Sequence, residues 1–135
     1  MTEVVKAIGV LILQGGKVLL VKHGEAASHL TGAYGLPAGR PEEGESDEET
    51  ALRELKEETG LQSAKEFLEK LPNIYTAFIE RKDGAKTFSV EVYRCKKFWG
   101  ELASSGETTP EWVEISKMGE LPLLPNIEKI VAEGL

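Results

Sequence analysis

Apolar and polar residues along this chain alternate in a way that predicts strands on both sides of one strong helix. Two apolar runs, VKAIGVLIL and KVLLVK, flank Gln14-Gly15-Gly16, which predicts a hairpin turn. Later in the chain, NIYTAFIERK and AKTFSVEVYRCKKFW are joined by Asp83-Gly84, a second strong hairpin signal. Phe88, Val90 and Val92 alternate with polar residues, so this second hairpin is predicted to have one buried and one exposed face.

The strongest helix signal begins at Ser46. Ser46 and Glu49 form an S-x-x-E capping box, in which each side chain accepts a hydrogen bond from a free backbone N–H of the first turn. Gly60 is a typical C-terminal stop, so the predicted helix has about 13 residues. Its predicted core-facing residues are Ala51, Leu52 and Leu55, and a different side carries Glu54, Glu57 and Glu58.

The remaining segments complete the predicted architecture. The segment HGEAASHLTGAYGLPAGRPEEGE is rich in Gly, Ala and Pro, which predicts a long irregular stretch with a short strand at AYGLP. EWVEI predicts another strand, and the C-terminal residues from Asn126 predict an amphipathic helix. Strands and helices in this order predict an α/β fold, a mixed sheet covered by helices, in one domain over residues 1–135.

Charge and cysteine content narrow the class of protein. The net charge of −7 excludes a general attraction to nucleic-acid polymers or anionic membranes, so an anionic substrate would need a specific means of capture. Cys95 is the only cysteine, which excludes an internal disulfide and favours a reducing, cytoplasmic setting. The apolar run Ala7–Leu13 is too short to span a membrane and is read as a strand.

The three helical carboxylates raise a question of charge. Glu54, Glu57 and Glu58 lie three and four residues apart, so they are neighbours on the helix surface and repel one another by about 0.2–0.5 kcal/mol per pair. Either this side of the helix is simply solvated, or a cation binds there. Mg²⁺ prefers such oxygen ligands, and a divalent cation would also neutralise the phosphate oxygens of an anionic substrate.

The segment around this helix resembles a known family. Residues 39–61, GRPEEGESDEETALRELKEETGL, fit the pattern G-x5-E-x7-R-E-U-x-E-E-x-G-U, with U an aliphatic residue, at every specified position. This is the signature box of the Nudix hydrolases. The preceding YGLPA is similar to the family's usual approach to the box. The resemblance implies the family's α/β/α sandwich with a mixed, partly antiparallel sheet.

The resemblance also implies roles for the box residues. Glu57 and Glu58 would bind Mg²⁺, with Mn²⁺ as a substitute, and Glu54 would be a metal ligand, a base acting on water, or both. The backbone carbonyl of Ala38 would be a further ligand, and Arg53 would orient a box carboxylate. Gly39 and Gly60 would provide the backbone geometry of the loop and of the helix end, and Glu45 would stabilise the ligands or the loop.

Several candidates lie outside the box pattern. Family members often add a carboxylate from a later loop, and here the candidate is Glu107, with Glu101 and Glu111 as rivals. Arg40 is a candidate phosphate contact because it adjoins the metal-binding loop, although a solvated arginine is an equal alternative. Tyr34, Phe78 and Phe88 are candidates for stacking on a nucleobase, because a base needs a flat apolar partner. For each of them, packing in the core is the alternative.

The expected activity is metal-dependent hydrolysis of a pyrophosphate linkage in a nucleoside diphosphate derivative. A short chain with little beyond the box resembles the MutT-like nucleoside triphosphate pyrophosphatases. The alternatives are hydrolysis of ADP-ribose, a nucleotide sugar or a dinucleoside polyphosphate and, in another class, a non-catalytic nucleotide-sensing domain. Retention of every box glutamate favours an enzyme over a sensor. The expected partner is a small nucleotide, and the expected state is a monomer or a homodimer.

Overall fold

The computed structural model describes residues 3–135, so the first two residues of the predicted domain lie outside the described range. Its strands are β1 (Val4–Leu11), β2 (Leu13–Gln14), β3 (Lys17–His23), β4 (Tyr34–Gly35), β5 (Ala38–Gly39), β6 (Leu68–Ile79), β7 (Lys86–Cys95) and β8 (Thr108–Glu114). Its helices are α1 (Asp47–Thr59) and α2 (Ile127–Gly134), and short 3₁₀ turns cover Lys65–Phe67 and Ile115–Glu120. Neither α1 nor α2, within this described range, is long and apolar enough to cross a membrane.

The strands form two sheets. The first has the order β5-β1-β7-β6, with β1 parallel to β7 and the other pairs antiparallel. In the second, β3 pairs antiparallel with β2, β4 and β8. The hairpin predicted around Asp83-Gly84 is confirmed as β6 and β7, but its connection spans residues 80–85 and is longer than the predicted Asp-Gly turn. Of the predicted strand at EWVEI, residues 111–114 lie in β8, and Ile115 begins the following 3₁₀ turn.

The first predicted hairpin forms only in part. Gly15 and Gly16 have φ angles of 57° and 76°, as a tight two-residue turn requires. The turn joins only β2 to β3, with Leu13 opposite Val18. β1 leaves this hairpin and pairs with β7 instead, so the continuous apolar run before the turn serves both sheets.

The predicted helix is confirmed at both ends. Ser46 accepts a hydrogen bond from the Glu49 N–H at 3.1 Å, and the Glu49 carboxylate accepts one from the Ser46 N–H at 3.0 Å. Gly60 ends α1 with φ 85°, a left-handed conformation that glycine adopts without strain. Ala51 and Leu55 are fully buried, whereas Leu52 is only half-buried at the edge of the packed face.

The two helices cover opposite faces of the sheets. α1 packs through Ala51 and Leu55 on a cluster that includes Ile8, Val10 and Leu19. α2 packs through a second set of apolar side chains on the other side of β1, formed by Ile127, Ile130 and Val131 with Leu11, Leu71 and Val92. Because successive residues of a strand point to opposite faces, β1 contributes to both layers. The predicted α/β/α arrangement is confirmed.

Candidate active site

A cleft of about 580 Å³ opens between the start of β5, the glutamate-bearing side of α1 and the inner face of β6 and β7. Its volume lies within the usual range for small-molecule sites. The acidic end is lined by Ala38, Gly39, Arg40, Glu54, Glu57, Glu58 and Glu107. The apolar wall is formed by Leu36, Tyr75, Ala77, Ile79, Phe88, Val90, Leu124, Ile127 and Ile130.

Glu58 is a largely enclosed carboxylate of the acidic end. Its Oε1 accepts a hydrogen bond from the Ala38 N–H at 3.0 Å, which joins α1 to β5. Burial, followed by the neighbouring Glu54 carboxylate, raises the pKa of Glu58 well above its usual value, and Glu107 adds to this effect. The carboxylates at this end of the cleft therefore crowd one another in space as well as in sequence.

Arg53 connects the box loop to the helix carboxylates. Its Nε and Nη2 donate to the two Glu45 oxygens at 2.7 and 3.0 Å, a bidentate pair. Its Nη1 donates to Glu54 at 2.7 Å and to Glu57 at 3.2 Å, and Nη2 also donates to the Arg40 carbonyl at 3.0 Å. The Arg53 guanidinium holds the pKa of Glu45 at about 2, with help from the backbone at Glu42. Glu45 is therefore ionised and anchors Arg53, which in turn orients Glu54.

Gly39 is required for the position of Glu54. A Cβ built at residue 39 would collide with the Glu54 carboxylate, which packs directly against the glycine backbone. Gly60 is enclosed as well, because a side chain there would meet the Glu101 carbonyl oxygen at 2.6 Å. A side chain at residue 39 would therefore displace the Glu54 carboxylate, whereas one at residue 60 would meet backbone atoms.

Of the three later carboxylates predicted as ligands, Glu107 is the one that lines the cleft. Its loop is held beside β3 by the Gly24 N–H, which donates to the Glu107 carbonyl at 2.8 Å. Thr108, next in the chain, donates through its hydroxyl to the Glu58 carbonyl at 3.2 Å. Glu101 packs its backbone on Gly60, and Glu111 lies on β8 opposite Leu20. Both rivals lie outside the cleft lining.

The acidic end has the donor chemistry of a divalent-cation site. Among residues 3–135, no three His, Cys, Asp or Glu side chains are already gathered around one coordination point. Glu57, with 57% of its side chain exposed, is directed toward Arg53. The crowding of Glu58, Glu54 and Glu107 nevertheless provides oxygen ligands whose mutual repulsion a hard cation would relieve. The residues therefore fit the expected metal, with rotation of exposed side chains needed to reach it.

The three aromatic candidates differ in their position relative to the cleft. Phe88 lines it. Phe78 does not: 63% of it is exposed, because strand alternation turns Ala77 and Ile79 inward and Phe78 to the opposite face of β6. Tyr34 is buried in the core cluster beneath α2. The structure therefore brings neither Tyr34 nor Phe78 to the cleft, and of the three aromatic candidates only Phe88 lines it.

Several polar side chains of the cleft were not selected from the sequence. His29 and Arg81 are brought together by a single antiparallel bridge between the β3–β4 loop and the β6–β7 turn. His23 lies beside them, with its ring centroid 4.5 Å from that of His29. Asn126 lines the cleft before α2. These residues are far apart in the chain, and neither their spacing nor their neighbours signalled a shared site.

Comparison with known proteins identifies the class to which this fold and cleft belong. A NUDIX domain is matched over residues 4–133, so the chain belongs to this family. A solved MutT protein from Methanosarcina mazei has a TM-score of 0.78 at 21% identity, covering 98% of this chain and 96% of that one, which shows the shared fold.

Two curated relatives carry functional names. An oxidized purine nucleoside triphosphate hydrolase from Danio rerio is 37% identical over 111 residues, which cover 81% of this chain and 65% of that protein. An ADP-ribose pyrophosphatase from Bacillus subtilis is 42% identical over 79 residues, or 56% of this chain and 41% of that protein. The chain thus spans less than two thirds of the length of either relative.

Proposed function

We propose that this chain hydrolyses the pyrophosphate linkage of a nucleoside triphosphate, releasing a nucleoside monophosphate and pyrophosphate. The observation that carries the proposal is the placement of Glu54, Glu57 and Glu58 at one end of a cleft that also has an apolar wall. An acidic end with bound cations suits a polyphosphate, and an apolar wall suits a nucleobase. The Danio rerio relative supports an oxidised purine as the base.

Glu57, Glu58 and Glu54 would hold Mg²⁺ or Mn²⁺, together with the Ala38 carbonyl and Glu107. When bound, the cation would supply neutralisation of phosphate charge and a lowered pKa of coordinated water. Glu54 is held by Arg53 and packs against Gly39, and besides binding metal it would accept a proton from the attacking water. Arg53 acts as a positioning residue, because its donors are used on protein oxygens.

The apolar wall would bind the nucleoside. Phe88 and Ile79 present flat and branched surfaces from adjacent strands, and α2 closes the other side with Ile127 and Ile130. Asn126 donates through Nδ2 to the Thr76 carbonyl at 3.0 Å, which leaves its Oδ1 as an acceptor at this end of the cleft. Such a group would bind a donor on the edge of a base.

A second candidate substrate is ADP-ribose, favoured by the Bacillus subtilis relative. The distinguishing experiment is a panel of dNTPs, oxidised dNTPs, the matching diphosphates, ADP-ribose and dinucleoside polyphosphates, each with Mg²⁺ or Mn²⁺. We expect a triphosphate to give the highest kcat/KM and pyrophosphate as the product. Preferential hydrolysis of ADP-ribose would replace the proposal with the alternative, and binding without turnover across the panel would favour the sensor.

A further inference from the structure

The loop that carries Glu107 is closed on itself by a serine. The Ser105 hydroxyl oxygen accepts hydrogen bonds from the Glu107 N–H at 3.1 Å and from the Thr108 N–H at 2.9 Å. The Ser105 N–H donates to the Thr108 carbonyl at 2.9 Å, so side chain and backbone both join the two ends of this turn. These local bonds to the main chain fix the backbone of Glu107 and leave the residue itself exposed.

The same loop is docked on the C-terminal end of α1. The last carbonyls of a helix have no partner within the helix itself. Here the Thr108 hydroxyl donates to the Glu58 carbonyl at 3.2 Å, and the Ala103 N–H donates to the Thr59 carbonyl at 2.8 Å. The helix therefore presents its carboxylates from one side and its terminal carbonyls to the segment that carries Glu107.

Thr108 links the contacts within the loop to those with the helix. It is a buried residue, and its Oγ1 lies 3.0 Å from the Ser105 hydroxyl. The Thr108 hydroxyl can thus accept a hydrogen bond from Ser105 while it donates its own proton to Glu58. Both hydroxyl protons have partners within the protein, so neither group is left to bind a substrate, although both residues line the cleft.

Glu107 is held through both of its backbone groups. Its N–H donates to Ser105, and its carbonyl accepts from the Gly24 N–H at 2.8 Å. A carboxylate on a fixed backbone loses less conformational freedom when it binds a cation than a carboxylate on a loose loop does. Glu107 and Glu58 line the same acidic end of the cleft, so the hydrogen bonds of the loop determine how the two carboxylates are placed relative to each other.

We propose that Thr108 and Ser105 are positioning residues of the metal site, which fix the backbone of Glu107 to that of Glu58 so that both carboxylates are available to the cation. This inference rests on the metal site of the proposed function and adds to it two residues that provide no ligand atom. Glu58 and Thr108 are 50 positions apart in the chain, and the Thr108 hydroxyl joins their segments directly. Loss of that hydroxyl should therefore lower the affinity for metal through Glu107.

The test measures Mn²⁺ binding without nucleotide, by electron paramagnetic resonance of the free ion, so that the result does not depend on turnover. T108V replaces the hydroxyl by a methyl group and should raise the Kd for Mn²⁺ about 10-fold, as for residues that support metal ligands. T108S keeps the hydroxyl and should restore most of the affinity. T109V, at the exposed neighbouring position of β8, is the matched control and should change the Kd by less than about twofold.

A double-mutant cycle tests whether Thr108 acts through Glu107. E107Q should itself weaken Mn²⁺ binding, and the addition of T108V to E107Q should cause no further loss. The Tm provides the contrast, because the loss of a structural hydrogen bond should lower it equally in both backgrounds. Equal losses of Mn²⁺ affinity from T108V with and without the Glu107 carboxylate would overturn the inference, as would wild-type affinity in T108V or in E107Q.

S105A tests the same link at an exposed residue, which the fold tolerates more readily than a change at buried Thr108. It should speed hydrogen exchange of the Glu107 and Thr108 amides in the metal-free protein and should raise the Kd for Mn²⁺. Unchanged exchange or unchanged affinity would overturn the positioning role.

The proposed function and the positioning role fail in different ways. If Mn²⁺ binding follows the expected cycle but no nucleotide of the substrate panel is cleaved, the proposed function is wrong and the positioning role stands. If nucleotides are cleaved but T108V and E107Q weaken Mn²⁺ binding independently, the positioning role is wrong and the proposed function stands.

Discussion

The two ends of the cleft are built in opposite ways. The acidic end comes from one continuous segment. In it, α1 places Glu54, Glu57 and Glu58 on one side, and Arg53 orients Glu54. The positive end is assembled from two distant segments, with His29 from the β3–β4 loop and Arg81 from the β6–β7 turn. One end has excess negative charge, and at the other the buried Arg81 Nε has no hydrogen-bond partner within residues 3–135.

That difference suits the two ends to different functions. Helix geometry fixes the acidic end, so its residues must keep their spacing for any substrate of the family. The positive end depends on how two loops meet, and loops tolerate change more readily than the elements they connect. We therefore expect the acidic end to govern the rate of the reaction and the positive end to govern the choice of substrate.

The largest effect is expected at the acidic end. E57Q and E58Q should each lower kcat by at least about 100-fold, because loss of a direct ligand should exceed the 10–100-fold typical of residues that merely support one. Both proteins should remain folded, since the side-chain amide of E58Q still offers an oxygen to the Ala38 N–H and Glu57 is largely exposed. E48Q removes the same charge from α1 outside the cleft and is the matched control. Near-normal turnover of either variant with Mg²⁺ would contradict the metal assignment.

A smaller effect is expected for Arg53, which positions the carboxylates without binding the metal. R53K keeps the charge but cannot reproduce the bidentate contact to Glu45 together with the contacts to Glu54 and the Arg40 carbonyl. We expect kcat to fall about 10–100-fold with little change in KM, as for residues that orient catalytic groups. R94K, on β7 and outside the cleft, is the control for the substitution. A full kcat in R53K would show that Glu54 needs no such orientation.

The smallest effect concerns the positive end and the pH dependence of stability. Burial, followed by the neighbouring His23 and Arg81, lowers the pKa of His29 from 6.5 to about 4. The unfolded chain therefore takes up a proton as the pH falls below about 6.5 while the folded protein does not, so the folded state loses stability between those two values.

H29Q removes this linkage and should show a smaller decrease in Tm between pH 7 and pH 5 than the wild type, by a few °C at most. The slope is reduced and not abolished, because the pKa of His23 is lowered in the same direction. The ion pair of Glu45, whose pKa is about 2, weakens only at lower pH and does not interfere. Parallel pH profiles of Tm would contradict the burial of a neutral His29.

Local signals in the sequence were sufficient for much of the fold. The capping box at Ser46 and Glu49, the stop at Gly60 and the Asp83-Gly84 turn all act through backbone hydrogen bonds and φ angles within a few residues. The pairing partner of a strand was harder to predict from the sequence. The run before Gly15 predicted a hairpin strand, yet β1 lies parallel to β7, a strand far along the chain that no pattern near Gly15 indicates.

The aromatic residues show the same limit. Phe88 and Phe78 both carry the flat side chain that a base requires, and both lie on strands. The register of β6 against β7 turns Phe88 into the cleft and leaves Phe78 exposed on the other face. Since side chains alternate along a strand, a single residue of register decides which aromatic side chain reaches the substrate.

The acidic face, its family and the helix that carries it follow from the amino-acid order alone, because residues three and four apart on a helix are neighbours whatever the rest of the chain does. The folded chain was needed to show that Glu107 joins that face and that Glu101 and Glu111 do not. Folding also places His29 beside Arg81, 52 positions later in the chain. Contacts between loops depend on the packing of the sheets beneath them, and no local pattern encodes that packing.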